Sequence, residues 1–430
     1  MNGNAYRKNK LINKITMIMA FVILTASGCT AKKEQPAEKK NVKDSYQITY
    51  CTWADEKDYT EMLVNAFRAE FPDILVNVKY IDDGMKEPEL EEILEKEDID
   101  IIGLKNINDV SYLQRKGYLV NLTERITSSG INVSCYGNMY NDISDNGKYY
   151  CLPMRKTSWV LVYNTDIFQK EGIPTPNHMT WDEFIELASD MTKGSGENKQ
   201  WGCYFVDWVY NFIGIQEKTY LYDDNLAYLQ QSLEMLDCIY NRDRSSMTPD
   251  DMRKEYWLDT FEKGNIAMMP MGEWFVGMVL EDEKAGKTEV HWDLAPMPTL
   301  EKQKDETTWG TYQLAAITRK CKEKNEVDGA FKFMKFLCGE DGARIYAANG
   351  MIPAYVNQDI ETLYREAIGA HNADVFFETW PIREKPIFEG YAALESMLEK
   401  EAVAYLEGDQ DIETTVNNFE ENRKAYFGKK

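Results

Sequence analysis

The sequence predicts an α/β fold made of two lobes, each a sheet flanked by helices, that are joined by short hinge crossings. Strand-like and helix-like stretches alternate strictly between residues 46 and 116, an order that favours a parallel, doubly wound sheet. Two strand-like runs then adjoin within residues 148–164, with a short polar segment between them. Because that segment looks too polar for a core, we interpret it as a crossing between lobes and expect function in the cleft beside it.

The first part of the chain contains three predicted strands and three predicted helices. The strands are Tyr46–Thr52, Ile74–Ile81 and Ile99–Leu104, and the helices are Asp58–Phe71, Pro88–Lys96 and Asn108–Lys116. In such sheets, ligands bind beyond the carboxyl ends of the strands. The loops at residues 53–57, 82–84 and 105–108 are therefore the predicted ligand-facing loops.

The central crossing lies between two short runs rich in aromatic and β-branched residues. Tyr149–Leu152 and Trp159–Tyr163 are predicted strands, and Pro153 is expected to end the first of them. The polar segment Arg155, Lys156, Thr157 and Ser158 separates them, and we expect it to be exposed.

Later elements build the second lobe and return to the first. Predicted helices are Asp166–Glu171, Thr180–Met191 with Thr180 and Glu183 as a capping box, Asn225–Tyr240, Thr248–Gly264, Val327–Cys338 and Asp341–Ala348. Predicted strands are Ile266–Met271, Asp293–Ala295 and Gly310–Ile317. Gly310–Ile317 marks a second crossing and Gly350–Ala354 a third, and residues 359–430 are predicted to be largely helical. We therefore expect lobe 1 to comprise residues 46–154 with 313–356, and lobe 2 residues 159–309 with 357–430.

Composition and charge exclude several functional classes. The net charge of -23 argues against nucleic acid, whose phosphates need a basic surface. The chain lacks the GxSxG, HExxH, P-loop and GxGxxG motifs. Its three histidines are scattered, which favours neither a metal site nor a cofactor. A secreted hydrolase using Asp55 with Glu56 is disfavoured, because adjacent side chains usually point apart.

The N-terminal residues have the pattern of an export signal. Four basic residues precede the uncharged, mostly apolar run Ile15–Ala26, which is shorter than the ~20 residues of a membrane-spanning helix. Small residues then lead to Cys29, as in a bacterial lipobox, although Ala26 replaces the usual Leu; ordinary cleavage at an A-x-A-like site is the alternative. We expect residues 1–28 to be a signal peptide, Cys29 to carry lipid, and residues 29–45 to be a disordered tether rich in Lys, Glu and Pro.

The cysteines favour burial over cross-linking. Eight cysteines less Cys29 leave an odd number with no CxxC motif. Cys151, Cys203, Cys238 and Cys338 lie within apolar runs, where a free cysteine acts as a small apolar side chain. We expect at most a few of these cysteines to form disulfide bonds.

Several separated stretches together resemble one family, the extracellular solute-binding proteins of carbohydrate ABC importers in the maltose-binding-like group. They occur in the family's order and span nearly the whole chain after the lipobox. The stretches are ITYCTWAD, AEFPDILVNV, DIDIIGLKN, YLVNLT, GKYYCLPMRKTSWVLVYNTDIF, GIPTP, TWDEF, GNIAMMPMGEW and AFKFMKFLCGEDGARIYAANGMIPA.

The resemblance implies a periplasmic-binding-protein-like type II fold that closes on its ligand, without catalysis or cofactor. It implies a monomer, held by lipid at the outer face of the cytoplasmic membrane, that passes a sugar or oligosaccharide to the permease subunits of an ABC importer. Binding of another small solute, such as a polyamine, peptide or metal chelate, remains an alternative, as does ligand sensing for a membrane kinase.

The resemblance also implies a set of ligand-binding residues, because a sugar needs aromatic platforms and polar groups around its rim. They are Trp53, Asp55, Glu56, Asn106, Arg155, Thr157, Trp208, Glu273, Trp274, Trp309 and Arg383. Structural roles are the alternatives for three of them: Trp53 could cover the sheet, Arg155 could form a hinge salt bridge, and Glu273 could serve a helix dipole. Trp159 could face the core.

Overall fold

The computed structural model of the chain describes residues 45–82, 84–301 and 307–428. The predicted signal peptide, Cys29 and all of the predicted tether but its last residue lie outside the described residues. Within the described part of the chain, no helix combines the length and apolar character that a membrane crossing requires.

The first sheet has five strands in the order β2-β1-β3-β10-β4. They are β1 (Tyr46–Trp53), β2 (Ile74–Ile81), β3 (Ile101–Leu104), β4 (Cys151–Lys156) and β10 (Tyr312–Ile317). The first three strands are parallel, as predicted, but β10 runs antiparallel to both β3 and β4. The parallel order predicted for the first three strands is therefore confirmed, and the antiparallel β10, whose direction was not predicted, re-enters the sheet at the end where β3 finishes.

The second sheet has four strands in the order β6-β7-β5-β8. They are β5 (Trp159–Asn164), β6 (Trp201–Cys203), β7 (Ile266–Gly272) and β8 (Trp292–Ala295). Strands β6 and β7 are parallel, whereas β5 is antiparallel to β7 and β8. A separate parallel pair joins β9 (Thr307–Gly310) to β11 (Trp380–Arg383). The sequence did not predict β11, which is a four-residue strand inside a region expected to be helical.

Helices pack around both sheets. The α-helices, in chain order α1 to α19, are Lys57–Glu70, Glu87–Lys96, Ile107–Arg115, Thr123–Ser128, Met139–Asp142, Thr165–Glu171, Trp181–Met191, Phe212–Gln216, Ala227–Asp237, Pro249–Met252, Trp257–Glu262, Trp274–Ala285, Arg319–Glu323, Val327–Cys338, Glu340–Ala348, Gln358–Ile368, Val375–Glu378, Tyr391–Leu406 and Ile412–Phe427. The predicted capping box of α7 is present, with Thr180 accepting from the Glu183 N–H. The predicted helix from Thr248 to Gly264 is divided into α10 and α11.

The polar segment at the first crossing is buried, which corrects the expectation that it is exposed. Arg155, Thr157 and Ser158 are each at most 5% exposed, and β4 continues through Pro153 to Lys156. Strand β4 is at the edge of its sheet, and an edge strand tolerates proline because one side of it lacks a ladder partner. The first crossing is therefore a buried continuation of β4 and not an exposed loop.

Three of the four cysteines predicted to act as core residues, Cys151, Cys203 and Cys338, are buried, but Cys238 is only half-buried, so that part of the prediction is wrong. Five cysteines of the described residues are buried in all: Cys51, Cys151, Cys203, Cys321 and Cys338. All cysteines of the described residues are free. Burial raises the pKa of the Cys51 thiol to about 12, so it stays protonated and unreactive at neutral pH.

Candidate functional site

The three predicted crossings lie side by side. The Thr157 N–H donates to the Thr311 carbonyl at 2.8 Å, and the Lys156 N–H donates to the Ile352 carbonyl at 3.3 Å. We call these segments, residues 155–158, 309–312 and 350–354, the crossing seam. The Thr311 hydroxyl donates to the Lys105 carbonyl after β3 at 3.0 Å, and the Glu273 N–H after β7 donates to the Ser158 carbonyl at 2.9 Å. The seam therefore links the ends of these two strands, and we take it as the floor of the candidate site.

Gly310 allows two segments of the seam to meet. A Cβ atom at this position would lie 2.0 Å from the Thr157 carbonyl oxygen. That oxygen belongs to the backbone and cannot rotate away, so only glycine fits. The sequence had placed Gly310 at a crossing without showing which backbone approaches it.

The end of β1 and the turn that follows it carry three of the predicted ligand-binding residues. Trp53 is 2% exposed, and the Lys105 ammonium lies 5.0 Å from the centre of its ring. Lys105 also forms an ion pair with Asp55 at 2.8 Å. The indole is thus covered by a cation–π contact, whereas the side chain of Asp55 is half exposed and available to a ligand.

Glu56, the third, points inward instead. It is 4% exposed, and its Oε2 accepts a hydrogen bond from the Thr52 hydroxyl at 2.9 Å. Burial raises the pKa of Glu56, and the positive charges of Arg155 and Lys105 oppose that rise. Glu56 therefore joins the first loop electrostatically to the crossing seam.

Asn106 has a structural task at the end of β3. Its Oδ1 accepts from the Asp109 N–H at 3.0 Å, and its Nδ2 donates to the Asp109 carboxylate at 2.8 Å. These bonds cap the first turn of α3. A role of Asn106 toward a ligand would add to this capping role.

A buried ion pair joins the two sheets at the seam. Arg155, at the end of β4, donates from Nη2 to the Glu273 carboxylate at 2.7 and 3.3 Å, and neither side chain is more than 4% exposed. Arg155 also donates from Nη1 to the Tyr59 hydroxyl at 3.1 Å. Burial opposes the charge, but Glu273, Tyr59 and Glu56 together raise the pKa of Arg155. The guanidinium therefore stays charged and spans the junction.

Trp274 is held in one position beside this ion pair. Its ring lies over Gly272, where a Cβ atom would be 1.9 Å from Cζ3. The ring also packs edge-on against Trp159, with centroids 5.5 Å apart and planes at 87°. Trp274 is half-buried, so part of a fixed aromatic surface faces outward.

Trp309 and Thr157 belong to the buried floor. Trp309 is fully buried, and its ring lies 5.3 Å from Trp159 and 6.4 Å from Trp181. Thr157 is 5% exposed and accepts from the Thr311 N–H at 3.0 Å. In this structure both residues shape the floor from below.

Two predicted residues lie at the margins. Trp208 is 46% exposed in the segment after β6, and no ring contact joins it to the other tryptophans described. Arg383, at the end of β11, forms an ion pair with Asp142 at 3.5 Å. Strand β11 pairs Arg383 with Gly310 of the seam, so Arg383 lies nearer the floor.

The structure thus brings together nine of the predicted residues around the seam and adjacent loops, with Arg383 beside them and Trp208 apart. It also adds residues that sequence reasoning missed. Tyr59 contacts Arg155, and Lys105 contacts both Trp53 and Asp55. Tyr256 is 47% exposed, and burial, then Asp259 and Asp55, raise its pKa. Only Lys105 had a usable signal, because it directly follows β3.

The fold is similar to that of solved solute-binding structures. A sugar transporter from Rhizobium etli in an open conformation has a TM-score of 0.76 and 24% identity, over 89% of this chain and 100% of that one. A substrate-binding protein from Listeria monocytogenes in complex with cycloalternan has a TM-score of 0.76 and 22% identity, over 90% and 100%. A maltose-bound protein of T. maritima has a TM-score of 0.71 and 17% identity, over 88% and 99%. These likenesses confirm the predicted two-lobed α/β fold.

A family model agrees with this fold. The model for bacterial extracellular solute-binding proteins matches residues 53–344, which is more than half of the 430-residue chain. The match begins at Trp53 of the first loop and runs through Glu273, Trp274 and Trp309. The chain belongs to the family of bacterial extracellular solute-binding proteins.

Proposed function

We propose that this protein captures a sugar or oligosaccharide in the cleft above the crossing seam and delivers it to an ABC importer, without catalysing a reaction. The half-buried ring of Trp274, fixed over Gly272 beside charged groups, is the observation that carries this proposal. Similar structures hold cycloalternan, maltose, mannotriose and D-mannitol. Their ligands share a neutral, hydroxyl-rich chemistry.

The proposed site can account for useful affinity. An aromatic ring covers the apolar face of a sugar, and charged groups bind the hydroxyls at its edge. A hydrogen bond to a charged group contributes about 1.5–3 kcal/mol, so three or four of them suffice for a micromolar dissociation constant, near -8 kcal/mol. We assign the aromatic contact to the half-buried Trp274 and the first hydrogen bonds to the half-exposed Asp55. Arg383 and Trp208 would be outer contacts. Arg155, Glu273, Glu56 and Thr157 would act at the floor, with Trp53, Asn106 and Trp309 supporting its shape.

Closure of the two lobes follows from ligand contacts on both sides. A ligand that touches Asp55 on one sheet and Trp274 on the other binds the closed state more tightly, so it shifts the equilibrium toward closure. We assign residues 46–154 with 313–356 to one lobe, and residues 159–309 with 357–430 to the other.

The first experiment is a thermal shift assay of the purified protein. Its panel contains maltose, mannobiose, mannotriose, cycloalternan, D-mannitol, spermidine and a short peptide. We expect at least one saccharide to raise the melting temperature, since a ligand at a hundredfold excess over its dissociation constant stabilises the folded state by about 2.7 kcal/mol. A response to spermidine or peptide with none to any saccharide would contradict the proposal.

Trp274→Ala tests the site itself. We expect this variant to lose the saccharide response, because the platform is removed. Trp201→Ala is the matched control, since Trp201 is also half-buried but begins β6 and pairs with Ile266 at the start of β7, the end of that strand away from Trp274. Equal loss in both variants would indicate general destabilisation and would contradict a role for Trp274 in binding.

The membrane anchor belongs to the same proposal. We infer that Cys29 is acylated and that the protein acts as a monomer at the outer face of the cytoplasmic membrane, next to the permease subunits. Cys29→Ala should release the protein from the membrane fraction, and mass spectrometry of the wild-type N-terminus should show the lipid. A wild-type N-terminus without lipid would rule out this anchor.

A further inference from the structure

Tyr256 presents an exposed aromatic ring beside the helix that begins with Trp274. It lies directly before α11 and is 47% exposed. Its hydroxyl lies 3.9 Å from the Met278 sulfur, and its ring packs on that of Trp257 with centroids 4.4 Å apart. Trp257 in turn packs at 5.6 Å against the fully buried Phe275 of α12. These contacts fix the position of the Tyr256 ring without a ligand.

Met278 connects this ring to Trp274. The two residues are four positions apart on α12, so they lie on one face of the helix, about 6 Å apart along its axis. Both are half-buried. Gly277 lies on the same face, and a Cβ atom there would be 3.8 Å from the Gly350 carbonyl oxygen of the crossing seam. The face that carries Trp274 therefore borders the floor of the proposed site, and Tyr256 extends its aromatic surface by one turn of helix.

A third exposed ring, that of Trp208, is tied to the same region. Trp208 is 46% exposed, and the preceding Asp207 forms an ion pair at 3.8 Å with Arg253, three residues before Tyr256. Strands β6 and β7 are parallel, so the segment after β6 that carries Trp208 leaves the second sheet at the edge where Trp274 follows β7. Three exposed or half-buried rings therefore lie at one edge of this sheet.

We infer that Tyr256 is a further ligand-binding residue, and that Trp274, Tyr256 and Trp208 form a row of aromatic contacts for an oligosaccharide of at least three units. We call these three rings the aromatic row. The inference rests on the proposed function and narrows its ligand from any sugar to an oligosaccharide.

The chemistry of the aromatic row favours a chain of sugars over a single one. An aromatic ring covers the apolar face of one sugar unit, so a monosaccharide can use only one ring of the row. Polar groups lie beside the rings: the side chain of Arg253 is 52% exposed and can donate hydrogen bonds to hydroxyls at the edge of a sugar. Successive rings with a donor between them suit successive units of one chain.

Chain length is the variable that tests the aromatic row. The ligands are glucose, maltose and maltotriose in one series, and mannose, mannobiose and mannotriose in another. In the series that binds, we expect isothermal titration calorimetry of the wild-type protein to show affinity rising about tenfold with each added unit, because each unit gains one aromatic contact.

Substitutions assign that gain to individual rings. Tyr256→Ala should weaken trisaccharide binding about tenfold, and Tyr256→Phe, which keeps the ring, should recover most of that loss. Trp208→Ala should weaken the trisaccharide more than the disaccharide, because its ring is the outermost of the row. Leu75→Ala is the matched control and should bind like wild type. Leu75 is 48% exposed but lies near the start of β2, at the end of the first sheet away from the crossing seam.

The contrary results are distinct. Saccharide binding that does not strengthen with chain length, or that is unchanged in Tyr256→Ala, would overturn this inference alone. A loss in Tyr256→Ala that is equal at every chain length, with a lower melting temperature before ligand is added, would assign Tyr256 to folding and would also overturn it. Failure of the folded wild-type protein to bind any saccharide would overturn the proposed function and, with it, the aromatic row.

Discussion

The edges of the two sheets that meet at the crossing seam differ in chemistry. The edge of the first sheet presents charged side chains, including Asp55, Lys105 and Arg155, that pair with one another or across the junction. The edge of the second presents indole rings, and those of Trp159 and Trp274 pack edge-on at 5.5 Å. The aromatic edge is shaped by its own sheet, whereas Arg155 depends on Glu273 from the opposite side.

This difference separates two contributions to binding. The rings of Trp159 and Trp274 pack against each other and keep their positions without a ligand, so the aromatic surface for the sugar is preorganised. A buried charge is stable only while its partner remains, so the charged edge is sensitive to any change at the junction. The charged edge should therefore respond to substitution mainly through stability, and the aromatic edge mainly through affinity.

Removing Arg155 should give the largest effect. Arg155→Met leaves the Glu273 carboxylate buried without its partner, which costs about 3–5 kcal/mol of unfolding free energy. Urea unfolding followed by circular dichroism measures this loss. Arg155→Met combined with Glu273→Met should recover part of it, because no uncompensated charge remains.

The exposed pair Arg125 and Asp328 provides the control. Arg125→Met should cost less than about 1 kcal/mol, as is usual for surface ion pairs. A similar loss for Arg155→Met and Arg125→Met would show that the junction does not depend on the buried pair.

Gly310→Ala should have the next largest effect, because it pushes the seam apart where both edges meet. The new Cβ would lie 2.0 Å from the Thr157 carbonyl oxygen, and overpacking of this kind costs about 1–3 kcal/mol. We expect a value near the upper end, measured by urea unfolding. Gly277→Ala, whose Cβ would meet nothing closer than 3.7 Å, should be neutral or slightly stabilising; equal effects would refute the close approach.

Asp109→Asn should have the smallest effect and a distinctive pH dependence. Burial and the nearby Glu87 raise the pKa of Asp109 to about 7, compared with about 3.9 when unfolded. Between these values the folded state binds the extra proton, so wild-type stability falls as pH rises through this window. The variant lacks this loss, so its stability relative to wild type should rise as the pH rises from 4 to 8. A difference that does not vary with pH would disprove the raised pKa.

Local patterns predicted most elements of the fold. The bounds of β2 (Ile74–Ile81) and α14 (Val327–Cys338) match the predicted ranges, because periodicity and flanking turn residues are local signals. The direction of β10 was not predictable in this way, since it depends on where the chain re-enters the first sheet. Strand β11 was missed because four residues that include a proline carry no periodic signal. The strand is recognised by its pairing with β9, which is distant in the sequence.

The candidate site was predictable where a residue follows a strand, and less so elsewhere. Trp53 ends β1 and Glu273 directly follows β7, so both positions could be located from sequence. The burial of Arg155 was not foreseen, because its polar neighbours suggested exposure, and its partners come from distant parts of the chain.

The crossing seam also bears on the lobe closure that we propose. Backbone hydrogen bonds from Thr157 to Thr311 and from Lys156 to Ile352 hold the three segments of the seam together. We therefore expect the three segments to bend as one unit. Bending of all three segments about one common axis preserves the hydrogen bonds between them. Twisting the segments against one another would stretch those bonds, so we expect the seam to resist it. We therefore expect opening and closing to be a rotation about a single axis. Each closure would then bring Asp55 and Trp274 back to the same relative position.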